Sequence, residues 1–510
     1  MVQFILLYRY QHVTGQQQHN SKTINSYLPM SLSKALFAFF TAIFTFFGNG
    51  ILNLAGAQST DISVGLAQIE ITPQQEKYPH YRGTSTGTDD PLFVKTAVFR
   101  EGNIQSAIVI CDLLWIARDL SADVRIKASQ LTGIPFTNII ISATHSHTTP
   151  AYDDNIRSLN AENRKIDDYK GNPDDYKAWL AGQMVKSIAE AQKNCVPATL
   201  KTGKSTVENI AFNRRFILKD GKTVMNPGVG NTSAITMAGP TDPELGIVLI
   251  ERKSDNKLIG GLSNFAVHSD TYGGTKFSAD YPGVLARQLQ KKYGEEFISV
   301  FGLGACGNLN HVDVRNSTNK LNTAKIGETL AEKFVSGAAS LTTANGKLQA
   351  GHRFVYLPLQ NYTTEELAFA DNKIKPLYPD SPFLTKRRLL KIKSLEAMRQ
   401  TEAIPPSIGT EPWHIPLEVQ AFTIGKDMAV VGLPGELFVE FALAVKEKSP
   451  FRNTIIIELT HSHIAYVPTI EAFKQGSYET INSRLHPGGG EALAENAIQL
   501  LNQLYADLNK

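Results

Sequence analysis

Asn138 to Pro150 reads N-I-I-I-S-A-T-H-S-H-T-T-P, and this stretch decides the kind of fold to expect. Ile139, Ile140 and Ile141 form a short β-branched run with no polar position, the pattern of a strand buried on both faces. Strands of that kind belong to sheets covered by helices, so the run points to an α/β protein of mixed sheets flanked by helices. The run stops at small hydroxyl residues and delivers His145 and His147. Side chains two apart on an extended backbone point to the same side, so both imidazoles can face one point. Two neutral imidazoles at a strand end can make half of a zinc site. The other reading is a polar loop after a core strand. The choice depends on whether other strands deliver ligands in the same way.

The chain of 510 residues allows about three domains at roughly 150 residues each, or one large domain with insertions. Apolar content of 42% and charged content of 19% are ordinary for a folded globular protein. A formal charge of +3 gives no reason to expect nucleic acid as a partner. Cys111, Cys195 and Cys306 are too few for a disulfide framework, and their spacing matches no metal motif.

Ala35 to Phe47, A-L-F-A-F-F-T-A-I-F-T-F-F, fits the apolar region of a signal peptide and is short for a membrane span. Lys34 precedes it, and Ala55-Gly56-Ala57 supplies a cleavage site before Gln58. The polar stretch ahead is long for such a signal, which makes Met30 an alternative start. The expectation is a signal region over 1–57, export to the periplasm or medium, and a single catalytic domain over 58–510. A retained anchor through Leu54 is the other reading, which the Gly48-Asn49-Gly50 interruption disfavours.

Within the mature chain, alternating and apolar runs predict strands at Ser63 to Pro73, Phe93 to Arg100, Gln105 to Cys111, Gly246 to Arg252, Leu258 to His268 and Phe297 to Leu303. Later ones fall at Asp427 to Leu433 and Thr454 to Leu459. Helices are expected near 120–131, 176–193, 278–293, 321–340 and 491–508, with one beginning at Glu436. The polar stretch Ala151 to Pro173 carries several aspartates, read as solvated or as bordering a site. Glu365 to Ala403 is a lysine- and leucine-rich helical excursion, read as a solvated face or as a basic edge making transient contact with a membrane surface. The glycine-rich Gly304 to His311 lacks the spacing of a phosphate-binding loop. No internal repeat of fixed period is visible.

Four strands end in residues that bind metal or protons: His145 and His147; His268; Glu436; and the group His461, His463 and Tyr466. Sites in α/β sheets form at the carboxyl ends of strands, so these can share one edge. Two histidines, a carboxylate and one open position form the ligand set of a hydrolytic zinc. Such an ion lowers the pKa of a water and polarises a carbonyl. Glu436 read alone could instead cap its helix.

The motifs G-L-A-Q-I-E-I-T-P from Gly65, D-P-L at Asp90, A-T-H-S-H, F-N-R, N-F-A-V-H, S-A-D-Y-P-G, L-P-G-E-L-F and A-Y-V-P-T followed by S-Y-E occur in one order across most of the mature chain. In this the sequence resembles the neutral/alkaline non-lysosomal ceramidase family, a family of zinc amidohydrolases. The resemblance implies zinc held by His145, His268, Glu436 and, through a phenolate, Tyr466. It implies that His147, Arg214 and Tyr478 hold the carbonyl oxygen or assist proton transfer. It further implies a zinc-activated water that cleaves the N-acyl amide of ceramide-like lipids to a fatty acid and a sphingoid base. The alternatives are an amidase or esterase acting on another acylated substrate, or an inactive binding protein of the same fold.

The sequence also departs from the family. T-T-P-A follows His147 where the ceramidases have S-G-P-G, and G-N-L-N-H-V at Gly307 to Val312 stands where they have G-D-V-S-P-N, so no serine nucleophile has a candidate there. The resemblance is to the catalytic domain without the family's immunoglobulin-like C-terminal domain. A second H-S-H at His461 and His463 adds competing ligands that the family pattern does not include.

Overall fold

A computed structural model describes residues 61–74, 77–153, 172–374, 382–407 and 412–509, within a compact unit spanning Ser59–Lys510. The expected signal region, the alternative start at Met30 and most of the aspartate-rich stretch lie outside the described residues.

Three chain segments repeat one plan. In the first, β1 (Phe93–Glu101) and β2 (Ile104–Cys111) form an antiparallel hairpin, and α1 (Arg118–Thr132) crosses over to β3 (Ile139–Ala143), which pairs parallel to β2. The second repeats this with β4 (Glu244–Arg252), β5 (Lys257–Phe265), α2 (Asp280–Tyr293) and β6 (Ile298–Leu303). The third uses β7 (His414–Ile424), β8 (Met428–Gly432), α3 (Val439–Lys448) and β9 (Asn453–Ile457). The repeat has no fixed sequence period because the connections differ in length, which is why a search by period does not see it. Its functional consequence is simple. In each unit the last two strands are parallel, so both end at the same edge.

The first two units join through Ser63–Glu70 and Val196–Thr206 into a nine-stranded sheet, with β3 at one end of the strand order and β6 at the other. The third forms a four-stranded sheet with Leu348–Pro358. An apolar core including Phe99, Ile110, Ile140, Val300, Phe422, Val430 and Ile457 lies between the two sheets. Helices cover the outer faces: α1 and Pro173–Lys193 over the first unit, α2 and Thr323–Gly337 over the second, and α3 with Gly489–Asp507 over the third. Every residue of β3 is buried, as a strand covered on both faces requires. The expected α/β fold of mixed sheets flanked by helices is the one observed.

The large sheet curls until both terminal strands reach the end of β9. Glu458 N donates to Leu303 O at the end of β6 (2.9 Å), while Ser142 Oγ of β3 donates to Glu458 O (2.6 Å) and His461 N to Ile141 O (2.9 Å). This closure gathers the carboxyl ends of strands from all three units around one point.

The helical excursion is two helices, Thr364–Ile374 and α4 (Phe383–Thr401). Much of its basic cluster is paired, Arg388 with Glu366 (2.7 Å) and Lys393 with Asp371 (2.8 Å), as a solvated face would be. Among the described residues no helix is long and apolar enough to cross a membrane.

Candidate metal centre

His145 follows β3 by two residues and has a left-handed backbone, φ 63°. The pair therefore does not converge by alternation along an extended strand, as the sequence suggested. The chain turns sharply at His145, and hydrogen bonds from its small hydroxyl neighbours fix the turn. Ser146 Oγ donates to Ser278 O (2.7 Å), and His147 N donates to Ser269 O (3.1 Å). A left-handed conformation at a bulky non-glycine residue costs about 1–3 kcal/mol and is typical of functional sites.

His268 follows β5 by three residues. The S-A-D-Y-P-G motif holds its loop: Tyr281 Oη donates to Val267 O (2.7 Å), and buried Asp280 accepts from Thr271 N and Tyr272 N (2.9 and 3.0 Å). His145 Nε2 and His268 Nε2 stand 3.2 Å apart, and His147 Nε2 lies 3.4 Å from His145 Nε2. These three form a cluster whose ligand atoms all lie within 4.8 Å of one another.

Glu436 does not begin the helix. Glu436 and Leu437 form a short strand, and α3 starts at Val439. The correction removes the helix-cap reading and explains the pairing with Tyr466. Glu436 stands in register with Tyr466 in a two-stranded parallel ladder, in which Glu436 N donates to Ala465 O (3.0 Å), so the two side chains are brought together by the ladder. Gly435 makes the preceding turn possible at φ 87°, where a Cβ would also strike Ile464 and Val467.

The tautomers of the two buried histidines follow from their other nitrogens. His145 Nδ1 donates to Leu114 O (2.7 Å), and His268 Nδ1 donates to Cys306 O (3.0 Å). Each Nε2 therefore carries a lone pair, and the two lone pairs point together. Glu436 Oε2 is 3.5 Å from both, buried and without a hydrogen-bond partner. Two lone pairs and an orphaned carboxylate oxygen repel one another unless a cation lies among them. The residues therefore fit a metal ion, with soft-to-borderline nitrogen donors and one carboxylate in the combination that suits zinc.

The surroundings act on these groups in different directions. Burial alone would lower the pKa of His145, but the Glu436 carboxylate outweighs it and holds it up. His268 and His147 are both held down, first by burial and then by neighbouring cations and histidines. Tyr466 is pushed well above the usual phenol by burial and by Glu436, so only a bound cation would make it a phenolate.

Arg214 lies beside Tyr466, with its guanidinium 5.3 Å over the Tyr466 ring. Its Nη1 is 3.5 Å from His268 Nε2, its Nη2 donates to Gly307 O (2.8 Å), and its Nε donates to Glu479 Oε1 (3.0 Å). The same Glu479 accepts from Arg215 Nη1 (2.8 Å). Tyr478 packs edge-on against Tyr466 with ring centroids 5.5 Å apart. All seven residues singled out from the sequence thus lie in one region.

The two histidines of the second H-S-H separate. His461 is buried away from the cluster, with Nε2 on Gln420 Oε1 (2.8 Å) and Nδ1 on Ser121 Oγ (3.1 Å). His463 Nε2 lies 3.5 Å from Glu436 Oε1, and its ring stacks on Trp115 at 3.7 Å and 7°. Sequence reasoning missed three contributors: Trp115, the Leu114 carbonyl, and the glycine-rich loop. That loop serves through its Cys306 and Gly307 carbonyls, and Gly307 must be glycine because a Cβ would come within 2.4 Å of Glu436 O. Backbone acceptors leave no signature in side-chain chemistry.

The family model described as neutral/alkaline non-lysosomal ceramidase, N-terminal, matches residues 56–355. The crystal structure of neutral ceramidase from Pseudomonas aeruginosa is similar with a TM-score of 0.65 and 17% identity, covering 88% of this chain and 75% of that one. A ceramidase complexed with C2 is similar with a TM-score of 0.65 and 18% identity, covering 88% and 76%. At such identity the likeness concerns the fold. No curated protein matches the chain. Because the family model spans more than half of the sequence and the fold agrees, the chain belongs to the neutral/alkaline non-lysosomal ceramidase family of hydrolases.

Proposed function

We propose that this protein is a zinc-dependent amidohydrolase that cleaves the N-acyl bond of a ceramide-like lipid amide. The observation that carries the reading is the pair of Nε2 lone pairs 3.2 Å apart beside the orphaned Glu436 Oε2. His145, His268 and Glu436 would hold the ion, with Tyr466 as a fourth ligand. A zinc ion there would lower the pKa of a water and polarise the scissile carbonyl.

The remaining residues have roles that follow from their positions. His147 is half-buried, and its Nε2 faces the cluster, where it can accept a proton from the attacking water and return it to the leaving amine. Arg214, fixed by Glu479 and Gly307 O, presents Nη1 beside His268, positioned to donate to the carbonyl oxygen as charge develops. Tyr478 offers a second hydroxyl donor. Export through the N-terminal apolar segment is part of the proposal and rests on the sequence alone. So does transient contact with a membrane surface, for which exposed Phe383 and Leu384 at the start of α4 offer apolar side chains.

The test is hydrolysis of N-acylsphingosine by the purified protein, with and without a chelator. Release of fatty acid that stops on chelation and returns with zinc supports the proposal. Unchanged release under chelation refutes the zinc dependence, and no release from any N-acyl amide refutes the activity.

A further inference from the structure

The described chain has four buried arginines: Arg125, Arg214, Arg215 and Arg484. Three are matched by carboxylates, Arg125 by Glu418 and the adjacent pair by Glu479. Arg484 is not. It is 5% exposed, donates from Nε to Ser394 Oγ (3.2 Å) and from Nη1 to Asn482 O, and has no carboxylate within ion-pair distance among the described residues. Leaving a buried cation unpaired costs several kcal/mol, so a fold keeps one where something else supplies the counter-charge.

Arg484 lies beside the candidate centre. Its charge acts on Glu436, Tyr478 and Tyr466, and on His463. Burial draws it down to about 10, which leaves it protonated at neutral pH. A second guanidinium, with no carboxylate partner among the described residues, acts on it through its charge. Arg387 of α4 sits 5.0 Å over the Phe383 ring, and that ring stacks on Tyr478 at 5.6 Å and 10°. Lys391, one turn further along α4, donates to Gln360 Oε1 (3.0 Å), and burial and the charge of Arg484 pull its pKa down to about 8. Glu436 is the group whose charge acts most strongly on Arg484, and a metal ion would take that charge for itself. The loaded site then has positive charge to spare on the side of Tyr478.

We infer that the amine half of the substrate carries an anionic group, a carboxylate or a phosphate, received by Arg484 with Arg387 beside it. The inference rests on the amidohydrolase reading and narrows its substrate. A guanidinium fork fits either anion in a bidentate manner, which a neutral hydroxyl headgroup does not reproduce.

Two matched substrate pairs test this with the zinc-loaded full chain: N-dodecanoylglycine against N-dodecanoylethanolamine, and ceramide 1-phosphate against ceramide. The expected result is a kcat/KM ratio of about 10²-fold in favour of the anionic member of one pair, and the pair showing it identifies the anion. Arg484→Leu should collapse that ratio towards unity, chiefly through KM, with zinc content retained, and Arg484→Lys should restore part of it. Arg387→Ala, on a half-exposed helix position, should lower the ratio without endangering the fold. A ratio near unity in the unaltered enzyme overturns the inference while leaving the amidohydrolase reading intact. So does an Arg484→Leu variant that slows both members of a pair alike, the result of a purely structural role. No turnover of any of the four substrates would instead defeat the amidohydrolase reading itself.

Discussion

His145 and His461 occupy the same position in two copies of one sequence, I-I-I-x-x-T-H-S-H, and both adopt φ 63°. One points its Nε2 at His268, and the other points its Nε2 at Gln420. The motif and the φ of its first histidine are shared, but Leu459 is also left-handed (φ 58°) where its counterpart Ala143 still belongs to β3, and the two turns pack against different elements. The turn after β3 faces the loop of His268, and the turn after β9 faces α1 and β7.

His461 is therefore a structural residue. His461→Ala should leave Gln420 Oε1 and Ser121 Oγ without their partner in a buried setting, a cost of about 1–3 kcal/mol. Denaturant unfolding should show that loss while the zinc content of the purified variant stays unchanged. A variant that lost zinc would place His461 in the metal centre.

Arg125 forms a bidentate pair with Glu418 (2.8 and 3.0 Å) and lies 3.7 Å over the Phe136 ring, joining α1 to the four-stranded sheet. Removing one member of a buried pair strands the other charge. Arg125→Ala should cost about 3–5 kcal/mol in unfolding free energy. An effect below about 1 kcal/mol would mean that water reaches Glu418 and that the two layers are less closely joined than described.

Glu458 lies between the sheets, accepting from Cys306 Sγ (3.0 Å) and Leu437 N (2.8 Å). Burial raises its pKa from 4.5 to about 8, with the charge of Glu436 adding to the rise. Because the folded value lies above the unfolded one, this contribution to stability is fully present below about 4.5 and is lost as pH rises towards about 8. Unfolding of the metal-free protein should show that decline, and Glu458→Gln should flatten it. Equal slopes for the two proteins would mean that Glu458 is ionised in the fold.

The sequence made the strands legible because each is a β-branched or alternating run, and their polar ends made the ligand types legible. The resemblance supplied the order of roles. A turn followed by an acid predicts a helix start at Glu436, whereas tertiary pairing with Tyr466 makes it a strand residue. The separation of His463 from His461 was out of reach, since their partners Glu436, Trp115, Gln420 and Ser121 come from distant segments. The curling of the large sheet was equally hidden, because it depends on hydrogen bonds among the ends of three strands that are remote in sequence.

His463 gives a direct view of how the carboxylate is held. Its ring, clamped on Trp115, reaches the Glu436 oxygen that faces away from His145 and His268. His463→Ala should weaken zinc binding by about 10–100-fold in a competition titration against a chelator, as loss of an outer partner of a ligand does. Unaltered affinity would mean that Glu436 is held by its backbone ladder alone.

In the proposed mechanism His145 holds the metal while His147 serves the substrate. This division is tested most directly by zinc content measured side by side in the unaltered protein, His145→Ala and His147→Ala. About one ion per chain is expected in the unaltered protein and in His147→Ala, and almost none in His145→Ala. Equal loss of zinc from both variants would contradict the division and make the two histidines equivalent ligands.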